Sequence, residues 1–227
     1  MRSKTILSTK ILSLAQKELL LNSGLGLVEY DAIKVEFLDF KVDKKADNYI
    51  FTSQNGVRAF LKNQAGLLSS AKAGARCYCV GLKTKSFLEK HGLKVTEMAK
   101  NSIELGQEIE KNYKNESFLF FCGNRRREEL PLILKENKID FTEVEVYKTS
   151  LHKKKFNTVF DGVLFFSPSA VESYQLENKI KESIAFCIGA TTAQEAKKHT
   201  STIVTATKTT IENVIVQAVK HFKTNTE

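Results

Sequence analysis

Polar groups able to bind a ligand gather at four places in this chain, each just after an apolar run. Ser53 and Asn55 follow Tyr49-Ile50-Phe51, and Gly81 and Thr84 follow Cys77-Tyr78-Cys79-Val80. Ser167 and Ser169 follow Val163-Leu164-Phe165-Phe166, and Gly189, Thr191 and Thr192 follow Ala185-Phe186-Cys187-Ile188. Each place reads as a buried strand, a turn of small or hydroxyl-bearing residues, and the start of a helix, where Ser is a favoured cap and Gly permits a tight turn. Main-chain N–H groups at helix N-termini bind anions. The chemistry expected is therefore recognition of carboxylates or phosphates by hydroxyls and backbone donors. Metal chemistry is not expected, because Cys77-x-Cys79 lacks both the two-residue gap and the second pair of a zinc site. Cys77, Cys79, Cys122 and Cys187 all lie in or beside apolar runs, where a free thiol acts as a small buried hydrophobe. His91 and His199 fall at helix C-termini, where the helix dipole accounts for them. His152 lies in a basic linker and His221 near the end, so no catalytic histidine is read.

An internal repeat organises the elements that carry these residues. The segment from Asp47 to Phe60 matches the segment from Asp161 to Tyr174 at an offset of 114, with Asp, Phe, Ser and Val coinciding. The segment from Cys77 to His91 matches that from Ala185 to His199 at an offset of 108, sharing Cys, Gly, Thr, Lys and His. At the second offset Ser102 and Thr210 correspond, each followed two residues later by Glu, and both are read as helix N-caps. Alternating strands and helices in two related halves argue for α/β layers built on parallel sheets. Runs such as Leu119-Phe120-Phe121 suit strands buried on both faces.

The later half lacks one strand–helix unit, which the N-terminus supplies as a strand over Lys4–Leu7 and a helix over Ile11–Asn22. The expected organisation is a discontinuous domain, residues 1–37 plus 152–227, and an inserted domain, 41–147. Extended crossings near 28–40 and 144–151 would join them, and two lobes so joined would have a cleft between them. Ligands in such open sheets bind beyond the carboxyl ends of the strands.

Composition removes several classes. The 227 residues carry 42% apolar and 27% charged side chains, which excludes a disordered or collagen-like chain. No apolar run is long enough to span a membrane. The first residues hold one short apolar burst and no signal-peptide core, so a cytoplasmic protein is expected. The net charge of +9 is spread along the chain, with its largest share in the middle and dense runs only at Arg125-Arg126-Arg127 and Lys153-Lys154-Lys155. A positive surface attracts polyanions, nucleic acid included. No zinc-finger, helix-turn-helix or RNP-type pattern supports nucleic acid, and neither G-x-G-x-x-G nor a Walker motif is present.

Six motifs occurring in order resemble the uroporphyrinogen-III synthase family: Phe51-Thr-Ser53-x-Asn55-Gly-Val57, Val80-Gly81-x-x-Thr84, Gly123-x-x-x-Arg127-x-x-Leu130, Val144-x-Val146-Tyr147-x-Thr149, Phe166-Ser167-Pro168-Ser169 and Ile188-Gly189-x-Thr191-Thr192. The resemblance runs from about residue 4 to residue 220, and its specificity lies in the combination. It implies two flavodoxin-like domains joined by a two-stranded linker. It implies a cofactor-free lyase acting on hydroxymethylbilane, a linear tetrapyrrole with eight carboxylates, from which it expels the terminal hydroxyl as water and closes the ring with inversion of ring D.

By the same resemblance Tyr147 is the proton donor to the departing hydroxyl. Ser53, Asn55, Gly81, Thr84, Ser167, Ser169, Gly189, Thr191 and Thr192 become turns holding acetate and propionate groups, and Arg127 a carboxylate partner. Simple helix capping explains the hydroxyls equally well, and packing at a domain junction explains Tyr147. Gln54 and Ala190 stand where some relatives carry Pro, leaving the turns intact. Arg125 and Arg126 read as surface charges. The partners expected are the tetrapyrrole substrate and a transient contact with hydroxymethylbilane synthase, with no nucleic acid, no membrane and a monomeric state. The alternative is a non-catalytic bilobed module that binds an anionic ligand, since fold alone does not assign function.

Overall fold

The computed structural model describes residues 4–42, 46–63, 74–180 and 182–224. In chain order the first elements are β1 (Thr5–Ser8), α1 (Leu14–Leu21), β2 (Gly26–Glu29), β3 (Ile33–Phe37), β4 (Asn48–Phe51) and α2 (Gln54–Asn63). Next come β5 (Arg76–Val80), α3 (Leu82–Lys90), β6 (Lys94–Ala99), α4 (Ser102–Asn112), β7 (Ser117–Gly123), α5 (Glu129–Glu136) and β8 (Asp140–Leu151). The chain closes with β9 (Gly162–Phe165), α6 (Pro168–Gln175), β10 (Ile184–Cys187), α7 (Ala190–Ala196), β11 (Ile203–Thr205) and α8 (Ile211–Thr224). Two compact units result, one of residues Met1–Lys34 and Ser150–Glu227 and the other of Val35–Thr149.

The discontinuous unit holds a sheet of order β11-β10-β9-β1-β2, all parallel. Renumbered by its own chain order this is 5-4-3-1-2, the flavodoxin-like arrangement with a switch point between β1 and β9. The inserted unit holds β3-β8-β7-β4-β5-β6, parallel from β8 to β6. Its five parallel strands repeat the spatial order of the first sheet with the chain entering at β4, the counterpart of β9. The two sheets are thus circular permutants of one arrangement, which is what an insertion into a repeat produces. The last strand, β3, lies beside β8. His152 N–H donates to Ala32 O (2.9 Å) and Leu38 N–H to Val146 O (3.0 Å), so the partner number falls along one strand as it rises along the other and the pairing is antiparallel.

Side-chain alternation divides each sheet's burial between two faces. In the inserted unit Phe51, Cys77, Cys79, Leu119 and Phe121 pack with Val57 and Phe60 of α2 and Leu88 of α3. Ile50, Tyr78, Phe118, Phe120 and Cys122 point the other way, onto Leu105 and Ile109 of α4 and Leu130 and Leu134 of α5. In the other unit Leu7, Val163, Phe165 and Ala185 meet α6 and α7, while Ile6, Leu164 and Phe186 meet α1 and α8. Each Phe or Leu so buried contributes roughly 1.5–3 kcal/mol.

Local signals were displaced in two places. The first helix begins at Leu14 rather than near Ile11, because Ser13 and Gln16 close a reciprocal capping box there. Leu12 N–H is meanwhile taken by Glu29 Oε1 at 2.7 Å, which holds the preceding residues in extended form. The cap of α4 is Asn101, not Ser102: Asn101 is extended and its side chain accepts Glu104 N–H. Asn serves as well as Ser at that position, so the helix starts at Ser102, one residue earlier than Ser102 as the cap would give. Thr210 does accept Asn213 N–H, at 3.2 Å, ahead of α8.

Close approach sets one glycine. A Cβ on Gly56 of α2 would lie 2.9 Å from the main-chain oxygen of Phe121 on β7. Ala in a helix gains about 1 kcal/mol over Gly, but overpacking against an atom that cannot turn away costs about 1–3 kcal/mol. Gly56→Ala is therefore expected to lower the denaturant midpoint, and an unchanged or raised midpoint would show that α2 shifts freely. A second expectation concerns pH. Burial pushes the Cys77, Cys122 and Cys187 thiols up to about 12 and Cys79 up to about 11. Their raised folded-state values mean this stabilisation is complete below the unfolded thiol value of about 8.5. It is lost as pH rises towards 11–12, because the unfolded chain releases those protons first. Denaturation midpoints measured from pH 8 upward should fall, and should fall less when Cys77, Cys122 and Cys187 are replaced by Ala or Val.

Candidate functional site

The switch point of the inserted sheet lies between β4 and β7, whose carboxyl ends run into Thr52-Ser53 and Asn124-Arg125. A cavity of about 400 Å3 opens there. Thr52, Ser53, Lys100, Asn101, Ser102, Arg125, Arg126, Arg127 and Tyr147 contribute its polar lining. These residues come from the ends of β4, β6 and β7 and from β8, which is the edge where parallel α/β sheets bind ligands.

Three local features aim Tyr147 into this cavity. First, the β7–β8 register slips between Cys122 and Gly123, so that Glu145 faces Cys122 while Tyr147 faces Gly123. Second, Gly123 has no side chain, and an added Cβ would lie 2.5 Å from Tyr147 Cζ; the ring occupies the space a larger residue would need. Third, Asn124 clasps the strand beyond the slip. Its Oδ1 accepts Thr149 N–H at 2.8 Å, its Nδ2 donates to Thr149 O at 3.3 Å, and its own N–H donates to Tyr147 O at 3.3 Å.

The Tyr147 hydroxyl lies 3.0 Å from Ser53 Oγ. Burial, the largest influence, raises the phenol above its ordinary value; the hydrogen bond with Ser53 opposes the rise and the neighbouring Cys122 adds to it. The phenol is therefore protonated at neutral pH and able to donate. Ser53 Oγ also accepts Gly56 N–H at 3.2 Å, which makes it the cap of α2 as well as the partner of Tyr147.

The three arginines divide their work. Arg126 is 19% exposed and bridges Glu143 of β8 (Nε to Oε2, 2.7 Å) and Glu128 (Nη1 to Oε1, 2.5 Å). It is a structural tie between the β7–α5 loop and β8, not the surface charge its setting in an Arg run suggests. Arg127 and Lys100 are exposed, line the cavity, and have no ion-pair partner among the described residues. Arg125 lines it too. Lys100 was not singled out in the sequence, where nothing separates it from the many surface lysines.

The remaining expected residues fall elsewhere. Gly81 is the N-cap of α3, with φ +83°, a conformation that favours Gly. Asn55 sits in the first turn of α2 and accepts a bond from Arg58 at 3.2 Å. Thr84 is 5% exposed, so its hydroxyl is not presented to a ligand. In the other unit Ser167 caps α6, its Oγ accepting Ala170 N–H at 3.1 Å, with Pro168 opening the helix and Ser169 half-buried in the first turn. Gly189 is the N-cap of α7, Thr191 is exposed, and Thr192 is 1% exposed, packed inward like Thr84. These positions mark the carboxyl edge of that sheet. A larger cavity of about 580 Å3 lies at its opposite, amino edge, lined by Phe156, Asn157, Tyr174, Asn178 and Ser183, and holds none of the expected residues. No group of three or more His, Cys, Asp or Glu residues is placed to hold a metal ion among the described residues. No helix among them is long and apolar enough to cross a membrane.

Comparison with known proteins bears on what this edge does. Residues 15–215 match the family described as "Uroporphyrinogen-III synthase HemD". A curated relative, the "Porphyrin biosynthesis protein HemD" of Ruminiclostridium josui, is 28% identical over 184 residues, which cover 73% of this chain and 36% of the relative. The chain thus matches about a third of the length of that protein. Among solved structures, the uroporphyrinogen-III synthetase of Helicobacter pylori aligns with a TM-score of 0.72 at 19% identity, over 96% of this chain and 99% of that one. A mutant uroporphyrinogen III synthase of Thermus thermophilus aligns with a TM-score of 0.71 at 14% identity, over 98% and 100%. At these identities the two structures establish the shared two-sheet α/β fold.

The seating of the phenol is open to test. Gly123→Ala should drive the Tyr147 ring from its place, break its bond to Ser53, and cost about 1–3 kcal/mol of stability by overpacking. Denaturant titration reads the second effect. Phenolate absorbance against pH, compared with Tyr147→Phe, reads the first; an unmoved Tyr147 titration would mean that the glycine does not seat the ring.

Proposed function

Because the chain belongs to the uroporphyrinogen-III synthase family, we propose that it converts hydroxymethylbilane to uroporphyrinogen III, with Tyr147 as the acid. One observation carries the assignment of the acid: a protonated phenol, seated by Gly123 and Ser53, lines a cavity at the switch point together with Lys100, Arg125 and Arg127. Loss of hydroxide from ring A needs a proton at the departing oxygen. The ring A nitrogen lone pair pushes the carbon–oxygen bond apart, the Tyr147 proton joins the leaving hydroxide, and water departs from a cationic azafulvene. Ring D then attacks through its substituted carbon. A spiro-pyrrolenine intermediate allows that ring to invert before closure, and the proton released on closure balances the one Tyr147 supplied.

Holding the bilane is the harder task, since the unsubstituted end would otherwise close to the type I isomer. Orientation of this kind can supply roughly 7–11 kcal/mol in favourable systems. Eight carboxylates call for many donors. The reading assigns some to the free cations Lys100 and Arg127, in charge-assisted contacts. Others fall to Asn55 and the turns at Gly81, Ser167, Ser169, Gly189 and Thr191. The hydroxyls of Thr84 and Thr192 are left to packing, their turns acting through backbone N–H groups. Because an unheld bilane cyclises wrongly, transfer during a transient contact with hydroxymethylbilane synthase suits the chemistry, and a monomer suffices for it. Four buried, unpaired cysteines suit a reducing compartment such as the cytoplasm.

Incubation with freshly made hydroxymethylbilane tests the whole reading: the product should be the type III isomer, and type I alone, formed at the spontaneous rate, would sink it. Tyr147→Phe tests the acid. Type III turnover should drop on the order of 10²-fold in a folded protein, whereas unchanged turnover would remove Tyr147 from that role.

A further inference from the structure

Ser53 was expected to hold substrate, yet its hydroxyl is already engaged. A hydroxyl oxygen has one proton and two acceptor sites. Gly56 N–H fills one acceptor site of Ser53 Oγ, and Tyr147 Oη, 3.0 Å away, is the other partner. When the phenol points its proton at a departing hydroxyl, the Ser53–Tyr147 bond has one direction left, with Ser53 O–H donating to Tyr147 Oη. We infer that Ser53 is a positioning residue for Tyr147, holding the neutral phenol aimed into the cavity and stabilising the phenolate left behind once its proton has gone. The inference rests on Tyr147 being the acid.

The physical reason is differential. Donation to a neutral phenol is an ordinary hydrogen bond; donation to a phenolate is charge-assisted, shorter and roughly twice as strong. The bond therefore strengthens as the proton departs, and only interactions that strengthen towards the transition state accelerate a step. The support extends behind Ser53. Gly56 N–H polarises Oγ, and the ten-residue helix α2 places its positive end there. Lys100, Arg125 and Arg127 share the phenol's cavity. The nearby carboxylates Glu143 and Glu128 are spent on Arg126. Cys122 on β7 is kept as a neutral thiol by burial, at about 12.

A residue acting only through Tyr147 has no effect once the phenol oxygen is gone, and a double-mutant cycle reads this. Ser53→Ala should lower kcat about five- to tenfold and leave KM and the type III product unchanged. Ser53→Thr should retain most of the activity. Ser53→Gly, which keeps helix capping at little cost but lacks the hydroxyl, should behave like Ser53→Ala and so separates the phenol's loss from the cap's. In the Tyr147→Phe background, Ser53→Ala should change nothing further. The phenolate absorbance of Tyr147, isolated by subtracting the Tyr147→Phe titration, should move to higher pH in Ser53→Ala and Ser53→Gly but not in Ser53→Thr. A raised KM with kcat held, or an equal further slowing of the Tyr147→Phe enzyme, would overturn the inference by showing that Ser53 acts on substrate directly. Tyr147→Phe with unimpaired turnover would remove the premise instead, an outcome read from that single variant alone.

Discussion

The parallel pairing of β4 with β7 is the constraint on which the site depends. These strands are far apart in sequence, yet Phe51 stands opposite Phe121 in register, their rings stacked at 5.2 Å and 13°. Every layer of the inserted unit is referred to that pair, with α2 and α3 on one face and α4 and α5 on the other. Because helices leave the two strands on opposite sides, their carboxyl ends open a crevice. Ser53 stands at the end of one strand and Gly123 at the end of the other. Tyr147 meets both because β8 pairs beyond β7 and slips by one residue at its end.

Glycine and asparagine do as much for this arrangement as the groups that carry chemistry. Gly56 lets α2 approach the main chain of β7, which brings its first turn and Ser53 to the crevice. Gly123 leaves room for a ring, and Asn124 holds the slipped strand with two side-chain bonds. All three lie within the motifs that the family resemblance rests on, and each has a geometric reason to be where it is. The positive charge is likewise sorted by structure: all three arginines line the cavity, but Arg126 is neutralised by Glu128 and Glu143 and ties the loop down.

Much of this was legible beforehand. The repeat between Asp47–Phe60 and Asp161–Tyr174 correctly announced two related parallel sheets, because a strand buried on both faces and followed by a capped turn leaves a pattern in consecutive residues. The caps at Ser53, Ser167 and Thr210 were read for the same reason, since each bonds an amide three residues away. Ser102 misled because two good capping residues stand side by side, and the choice depends on which is extended. Thr84 and Thr192 looked like ligands by type and spacing; whether a hydroxyl on a helix turns outward or into the sheet depends on what packs above it.

The amino-acid sequence by itself determined the strand–turn–helix repeat, the capped turns that end its strands and the family resemblance, all of which are written in short windows or in their order. Only the tertiary structure decided that Tyr147 and Ser53 share a hydrogen bond, that Gly123 is a seat for a ring, and that Arg126 is ion-paired to Glu128 and Glu143 while Arg127 is exposed. Those facts join residues on different strands through a register slip and a sheet order. No local pattern encodes them, because a one-residue change of register turns a side chain to the other face.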